Sequence, residues 1–320
     1  MHKAIALYSS GLDSFLAILV VKKQKIEIIA IKFLTGFEKP VKEWEIHLSQ
    51  KIGFELKEID IREKFLDIVK NPKYGYGKNL NPCIDCKILM LKEAKKRMQE
   101  YGASFIITGE VLGQRPMSQR KEIFSLMEKE TSLHGLILRP LSAKLLPPTE
   151  PEIQKVVDRS LLYDIWGRTR KPQLALAKEF GIEKIPQPAG GCLLTDPFFC
   201  RKVKDLIEHD ELNVKNTKLL RIGRHFRISH DCKAIAGRNE IENKILLNNY
   251  DGIFLYPSDF KGPVVVLLGL CTERELQIAA ALCVHYSKRK KSEIVIKEGE
   301  TEQIKTFNVI TEKEIVKYRI

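Results

Sequence analysis

The sequence predicts an α/β domain, a parallel sheet with helices on both faces, followed by a separate α+β domain. Three observations carry this. Short apolar strand patterns alternate with helical ones over the first hundred residues. A serine-rich turn follows the first strand and opens the first helix. After about residue 212 the pattern changes to short strands around one helix.

Residues 3–7 form a short apolar strand, and residues 13–23 have helical spacing, with Leu16, Leu19 and Val20 on one side. Residues 27–33 read as a second strand, 41–52 as an amphipathic helix, 54–60 as a third strand, 88–101 as a helix and 104–108 as a fourth strand. Alternation of this kind implies right-handed crossovers, a parallel sheet covered on both faces, and ligands at the carboxyl ends of the strands. The proline-rich stretch from Leu145 to Pro151 breaks the pattern. Helix-like segments at 152–162 and 172–180 follow it, then the Pro- and Gly-rich loop 186–191. Strands are expected at 234–237, 252–256, 264–268, 294–297 and 306–309, and a helix at 273–286. The expected domains are 1–145, an extension over 146–212 carrying a third loop cysteine, and 213–320.

At 320 residues, 44% hydrophobic and 30% charged, the composition is that of a soluble globular protein. No apolar run reaches the ~18 residues of a membrane span, and the opening MHKAIALYSSGLDSF has none of signal-peptide length. The chain is therefore expected in the cytoplasm, with no membrane partner, and its seven cysteines are not expected to form a disulfide framework. The net charge of +13 splits into +8 over residues 1–200 and +5 over the rest, so both parts suit a polyanion such as nucleic acid.

Ser9-Ser10-Gly11-Leu12-Asp13-Ser14 lies between a strand and a helix, a context that binds anions. Gly11 lets the backbone come close, N–H groups point at a phosphate, and the helix end adds partial positive charge. The loop lacks the lysine-bearing P-loop pattern, so γ-phosphate transfer of that type is excluded. It resembles the S-G-G-x-D-S loop of the N-type ATP pyrophosphatases, with Ser10 where the first glycine usually stands. The resemblance implies the adenine nucleotide alpha hydrolase-like fold, and a loop that holds pyrophosphate while a substrate oxygen attacks the α-phosphorus of ATP.

Thr108-Gly109-Glu110-Val111-Leu112-Gly113-Gln114, with Ser118-Gln119 after it, resembles the T-G-E-x-L-G-Q…S-Q stretch of the tRNA 4-thiouridine synthases. Arg139-Pro140-Leu141 matches that family's next strand, but of its following Asp-Lys pair only Lys144 is left, after Ser142 and Ala143. The related tRNA 2-thiouridylases share the nucleotide loop but not the Gly109–Gln114 stretch. The resemblance to thiolation enzymes covers roughly residues 1–200. It implies ATP and Mg²⁺ as cofactors, tRNA as partner, and ATP contacts from Ser9, Ser10, Gly11, Asp13, Ser14, Phe33, Thr108, Gly109 and Gln114. Asp13, Cys83 and Cys192 are the expected catalytic residues.

Cys83 and Cys86 form a C-x-x-C pair before a helix, and Cys192 lies in a second loop, whereas Cys200, Cys232, Cys271 and Cys283 sit in apolar surroundings suited to packing. A thioredoxin-type pair needs another fold, and a structural zinc needs a fourth ligand. Three thiolates can hold a [4Fe-4S] cluster with one open iron. Among thiolation enzymes, some carry such a cluster and others use two cysteines for persulfide chemistry. Cys83, Cys86 and Cys192 are therefore read as cluster ligands or as sulfur carriers supplied by a cysteine desulfurase or free sulfide, with zinc binding or no function as the remaining readings. The helix start is expected to lower the pKa of Cys83 and Cys86.

Arg224-His225-Phe226-Arg227, Gly237–Asn243 and Ala279–Lys288 resemble the RNA-binding domain of the NFACT proteins. This implies RNA contacts from Arg224, Arg227, Arg238, Asn239, Lys288 and Arg289, with Phe226 and Tyr286 in the core. The function expected from all of this is ATP-dependent tRNA sulfur transfer. The alternatives are a ligase that makes amides through an adenylated acid, or a non-catalytic RNA-binding factor.

Overall fold

A computed structural model describes residues 2–38, 43–182 and 192–320, without the side chains of 44, 45, 47, 48 and 51. The expected loop at 186–191 lies outside these residues. The chain divides into two compact units, Met1–Thr195 and Asp196–Ile320, and the expected extension 146–212 falls on both sides of that division.

The first unit runs β1 (Lys3–Leu7), α1 (Leu12–Lys22), β2 (Glu27–Leu34), α2 (Glu43–Ile52), β3 (Glu55–Asp60), α3 (Arg62–Lys70), α4 (Cys83–Tyr101), β4 (Phe105–Thr108), α5 (Lys121–Thr131), β5 (Ile137–Leu138), α6 (Glu150–Ile153) and α7 (Lys171–Glu179). All five strands are parallel, in the order β3-β2-β1-β4-β5. Alternation along β1 sorts the core. Ala4 and Ala6 face α1 and α7, where Leu16, Leu176 and Ala177 pack. Ile5 faces α4 and α5, with Ile88, Leu91 and Phe124. The predicted α/β class, with helices on both faces, is the one observed. The chain leaves β1 to one side toward β2 and returns to β1's other side as β4, so the loops after these strands part at a switch point.

The expected helix at 152–162 does not form. Only Glu150–Ile153 is α-helical, with a separate 3-10 turn at Arg159–Leu161, and Lys155 takes a left-handed φ of 58°, which ends the run after the prolines. Helix α4 begins at Cys83, five residues before the expected start, so the C-x-x-C pair lies on its first turn.

The second unit contains α8 (Pro197–Glu208), α9 (Val214–Leu219), β6 (Arg224–Arg227), β7 (Cys232–Ala236), α10 (Glu240–Asn249), β8 (Ile253–Pro257), β9 (Val265–Gly269), α11 (Glu273–Tyr286), β10 (Lys291–Glu298), β11 (Thr301–Asn308) and α12 (Glu312–Tyr318). Its antiparallel sheet, β11-β10-β8-β9-β7-β6, buries one face under α11 with Phe226, Ala279 and Val284, and the other with Leu219, Leu246 and Val266. Cys232 and Cys271 are disulfide-bonded, contrary to the expectation that both only pack. Strand β7 and the turn after β9 hold their Cα atoms 5.3 Å apart, within bridging range. Cys200 and Cys283 are buried thiols, as expected. Among the described residues no helix is long and apolar enough to cross a membrane.

Candidate functional site

The loops after β1 and β4 open into one cavity of about 330 Å³. The loop of residues 9–14 is held by its own hydroxyls. Ser14 Oγ donates to Gly11 O at 2.8 Å and accepts from Ser9 N–H at 3.2 Å. Gly11 caps α1 with no side-chain hydrogen bond, so no capping group covers the positive end of the helix. Ser10 sits at φ 59°, a left-handed conformation that explains why the resembled motif has glycine there. The serine adds a hydroxyl that accepts from Lys32 Nζ at 2.9 Å. Lys32, only 2% exposed, projects from β2 into the cavity wall and places a cation beside the loop. No motif marks it, since a lone lysine in an apolar strand reads as a solvated edge.

The two loops touch at Gly109. A Cβ there would lie 2.3 Å from Ser14 N, so no other residue fits without parting the loops. Gln114 Nε2 donates to Asp13 Oδ2 at 3.1 Å, while Asp13 Oδ1 is buried and has no hydrogen-bond partner among the described residues. Burial raises the Asp13 pKa, and Gln114, Arg170 and Arg115 pull the other way without cancelling it. Gln119 also lines the cavity with an unpartnered Oε1. Glu110 is the opposite case. Burial would raise its pKa, but the charges of Lys87 and Arg139 outweigh it and hold the carboxyl below its usual range. Arg139 reaches Glu110 at 3.2 Å and Glu128 at 2.8 Å, tying β5 to α5.

Where the resembled family has its Asp-Lys pair, Ser142 Oγ accepts from Leu112 N–H at 3.0 Å and donates to Ile165 O at 2.6 Å. Lys144 reaches Ser160 O at 2.9 Å and does not line the cavity. Neither side chain takes part in the site; Ser142 fixes the loop that does.

Cys83, Cys86 and Cys192 line the same cavity as Ser9, Ser10, Gly11, Asp13, Ser14, Phe33, Thr108, Gly109 and Gln114. All of the cysteine and ATP-site candidates are thus brought together. Cys83 Sγ lies 3.3 Å from Ser118 Oγ. The segment of Cys192 is anchored by Leu193 N–H on Phe37 O at 3.1 Å and by Asn79 Nδ2 on Thr195 O at 2.8 Å. The expected lowering of the thiol pKa is reversed at Cys86. Burial first, then Cys192 and Cys83, raise it well above the usual value. The helix end favours the thiolate, but desolvation of the half-buried thiol and the two neighbouring thiols outweigh it.

The donor sets fit the implied groups. Asp13 Oδ1 is a bare carboxylate oxygen of the kind that Mg²⁺ binds, and the three thiols are the soft donors of iron. Among the described residues no group of three or more His, Cys, Asp or Glu side chains stands arranged as a metal site.

In the second unit the RNA candidates divide. Arg227 is committed to Asp205 at 2.8 and 2.9 Å and to Glu211 at 2.7 and 3.0 Å, and Lys233 closes the cluster at 2.6 Å from Asp205. Arg238 pairs with Glu242, and Asn239 caps α10 by accepting from Glu242 N–H at 3.0 Å. Arg224 lies over the Tyr286 ring at 4.5 Å and Arg289 over Phe260 at 4.2 Å, and Lys288 is exposed at the end of α11. Phe226 is buried and Tyr286 packs against the same core.

The chain is 32% identical over 146 residues to a protein of Thermococcus kodakarensis described as a probable tRNA sulfurtransferase. That match covers 43% of this chain and 36% of the relative, so the chain spans about a third of the length of the curated relative it matches. Among solved structures it is similar to a 4-thiouridine synthetase–RNA complex with bound ATP (TM-score 0.37, 18% identity, 57% of this chain and 52% of that one). It is also similar to the U34-tRNA thiolase NcsA of Methanococcus maripaludis with its [4Fe-4S] cluster (TM-score 0.35, 18% identity, 69% and 70%). Residues 1–144 match the family model described as Thiamine biosynthesis protein (ThiI), and residues 223–319 match the one described as NFACT protein RNA binding domain, so a region similar to the first is joined in one chain to a region similar to the second.

Proposed function

We propose that the chain is an ATP-dependent tRNA sulfurtransferase. The observation that carries this is the meeting of the Ser9–Ser14 loop, the Gly109–Gln114 loop and three cysteines in one cavity at the switch point of a parallel sheet. Adenylation alone needs the two loops, and amide formation needs no thiols.

The loop and the open end of α1 receive the pyrophosphate part of ATP, and Lys32, fixed by Ser10, adds a cation beside it. A uridine carbonyl oxygen attacks the α-phosphorus, the bond from that phosphorus to pyrophosphate breaks, and the base is left as its adenylate. Sulfur then bonds to the activated carbon, and AMP leaves with the oxygen. Asp13 would hold Mg²⁺, which neutralises phosphate charge when bound. Cys83, Cys86 and Cys192 would hold an iron–sulfur cluster, which would supply sulfur at the sulfide level when bound. The cysteine side chains deliver sulfur within contact distance of the base because they share the nucleotide's cavity. The raised Cys86 pKa means that the free thiol keeps its proton at neutral pH, so the proton leaves only as the sulfur binds a cation or bonds to an electrophilic sulfur. ATP–pyrophosphate exchange with and without tRNA tests the first step: exchange that needs tRNA supports the reading, and exchange supported by a small carboxylic acid alone would replace it with the ligase.

A further inference from the structure

Trp166 is 66% exposed on the first unit, although Leu112 and Ile165 beside it are buried. Its backbone is pinned on both sides. Trp166 pairs with Leu112 in a β-bridge, Gly167 N–H donates to Leu112 O at 2.8 Å, and Ile165 N–H donates to Leu141 O at 2.8 Å. The indole rests against Gly113, which takes φ +77° and where a Cβ would lie 2.8 Å from Trp166 Nε1. Gly113 is thus the one residue type that suits both the turn and the ring. The next residue, Gln114, bonds Asp13 in the cavity, so the indole stands beside the cavity's own loop. Three arginines lie on the same two segments. Arg115 is exposed and lines the cavity, Arg168 is exposed two residues beyond the ring, and the charges of Arg170 and Arg115 reach the Asp13 carboxylate.

An exposed indole on a hydrogen-bonded backbone, with Arg115 and Arg168 on the same segments, suits a polyanion that carries flat rings, and a single-stranded stretch of RNA is that ligand. We infer that Trp166 is the stacking platform for an unpaired base of the tRNA beside the cavity, with Arg115 and Arg168 meeting the flanking phosphates. The inference rests on the sulfurtransferase reading and deepens it. A uridine must leave its helical stack to reach the cavity, and a ring at the entrance holds the neighbouring base while it does so.

The test uses the full chain and a tRNA transcript. Trp166→Ala weakens tRNA binding about tenfold at fixed salt, and Trp166→Phe stays within about twofold, because any aromatic face stacks. The slope of affinity against salt is the same for both as for the unaltered chain, since no phosphate contact is lost, whereas Arg168→Glu lowers it by about one. ATP binding is unchanged in the Trp166 variants. In a Trp44→Phe background, which leaves Trp166 as the sole tryptophan, saturating tRNA quenches the emission. Unaltered tRNA affinity of Trp166→Ala, or emission that tRNA does not move, overturns the platform. Loss of ATP binding along with tRNA binding also overturns it, making the ring a brace for the Gly113 loop. Trp166-dependent binding in a chain that makes no thiolated nucleoside would sink the sulfurtransferase reading and leave the stacking site. Thiolation indifferent to Trp166 would do the reverse.

Discussion

In the first unit Asp13 keeps one buried carboxylate oxygen, and Gln119 one amide oxygen, without a partner among the described residues. In the second, Arg227 meets two carboxylates, Arg238 a third, and Asn239 a helix N–H. All of these residues belong to motifs that resemble functional ones. A buried polar group without a partner costs stability unless a ligand supplies one, whereas a paired group is already accounted for by the fold. On that contrast we assign Asp13 to chemistry and Arg227 to the domain's own structure.

The largest expected effect is at Asp13. Asp13→Asn lowers thionucleoside formation by about a thousandfold or more, since the oxygen that would hold Mg²⁺ is lost. The variant is no less stable. The folded-state pKa of Asp13 is raised, so its stability contribution is complete below 3.8 and lost as pH rises through the folded value; Asn removes that loss, and Tm at pH 7 stays level or rises. A large drop in Tm would show that Asp13 is structural and dissolve the contrast.

The cysteines come next. Replacing Cys83, Cys86 or Cys192 by Ser lowers product at least a hundredfold, and Cys200→Ser leaves it unchanged, because Cys200 is buried in the second unit's α8. Iron and acid-labile sulfide in protein purified without oxygen distinguish the two sulfur routes. Iron lost with each of the three serines marks the cluster; iron-free active protein marks the persulfide.

The second unit offers a pair of opposite outcomes. Arg227→Ala destabilises by about 3 kcal/mol, because Asp205 and Glu211 lose their shared partner in a largely buried site. Arg224→Ala and Arg289→Ala leave Tm near its starting value and each lower the salt slope of tRNA binding by about one. Chemical denaturation and binding titrations over a salt series check both. If Arg227→Ala melts normally but loses the slope, the division drawn within this unit is wrong.

The smallest effect is at Ser10. Ser10→Gly relieves a left-handed serine at a gain of about 1 kcal/mol in backbone energy, offset by the lost bond to Lys32. Stability changes little and the KM for ATP rises a few-fold.

The parallel sheet was legible in the sequence because its strands are buried on both faces and read as apolar runs such as Ile28–Ile31. The two loops and the cysteines were legible as motifs, and the structure gathers them in one cavity. Three things were not legible. Lys32 acts through a contact 22 residues away that no local pattern encodes. Arg227 resembles a phosphate contact until Asp205 and Glu211, outside the motif, are seen around it. The residues at 152–162 have helical spacing, but spacing carries no record of the left-handed turn at Lys155.

The central claim is that one cavity couples adenylation to sulfur transfer. Its most direct test is nucleoside mass spectrometry of a tRNA transcript incubated anaerobically with the purified full chain, ATP, Mg²⁺ and sulfide. The account predicts a thiouridine formed only with ATP, with one pyrophosphate released per sulfur and none formed by Asp13→Asn or Cys192→Ser. Sulfur incorporated without ATP, or pyrophosphate released from tRNA reactions with no sulfur in any nucleoside, would contradict it.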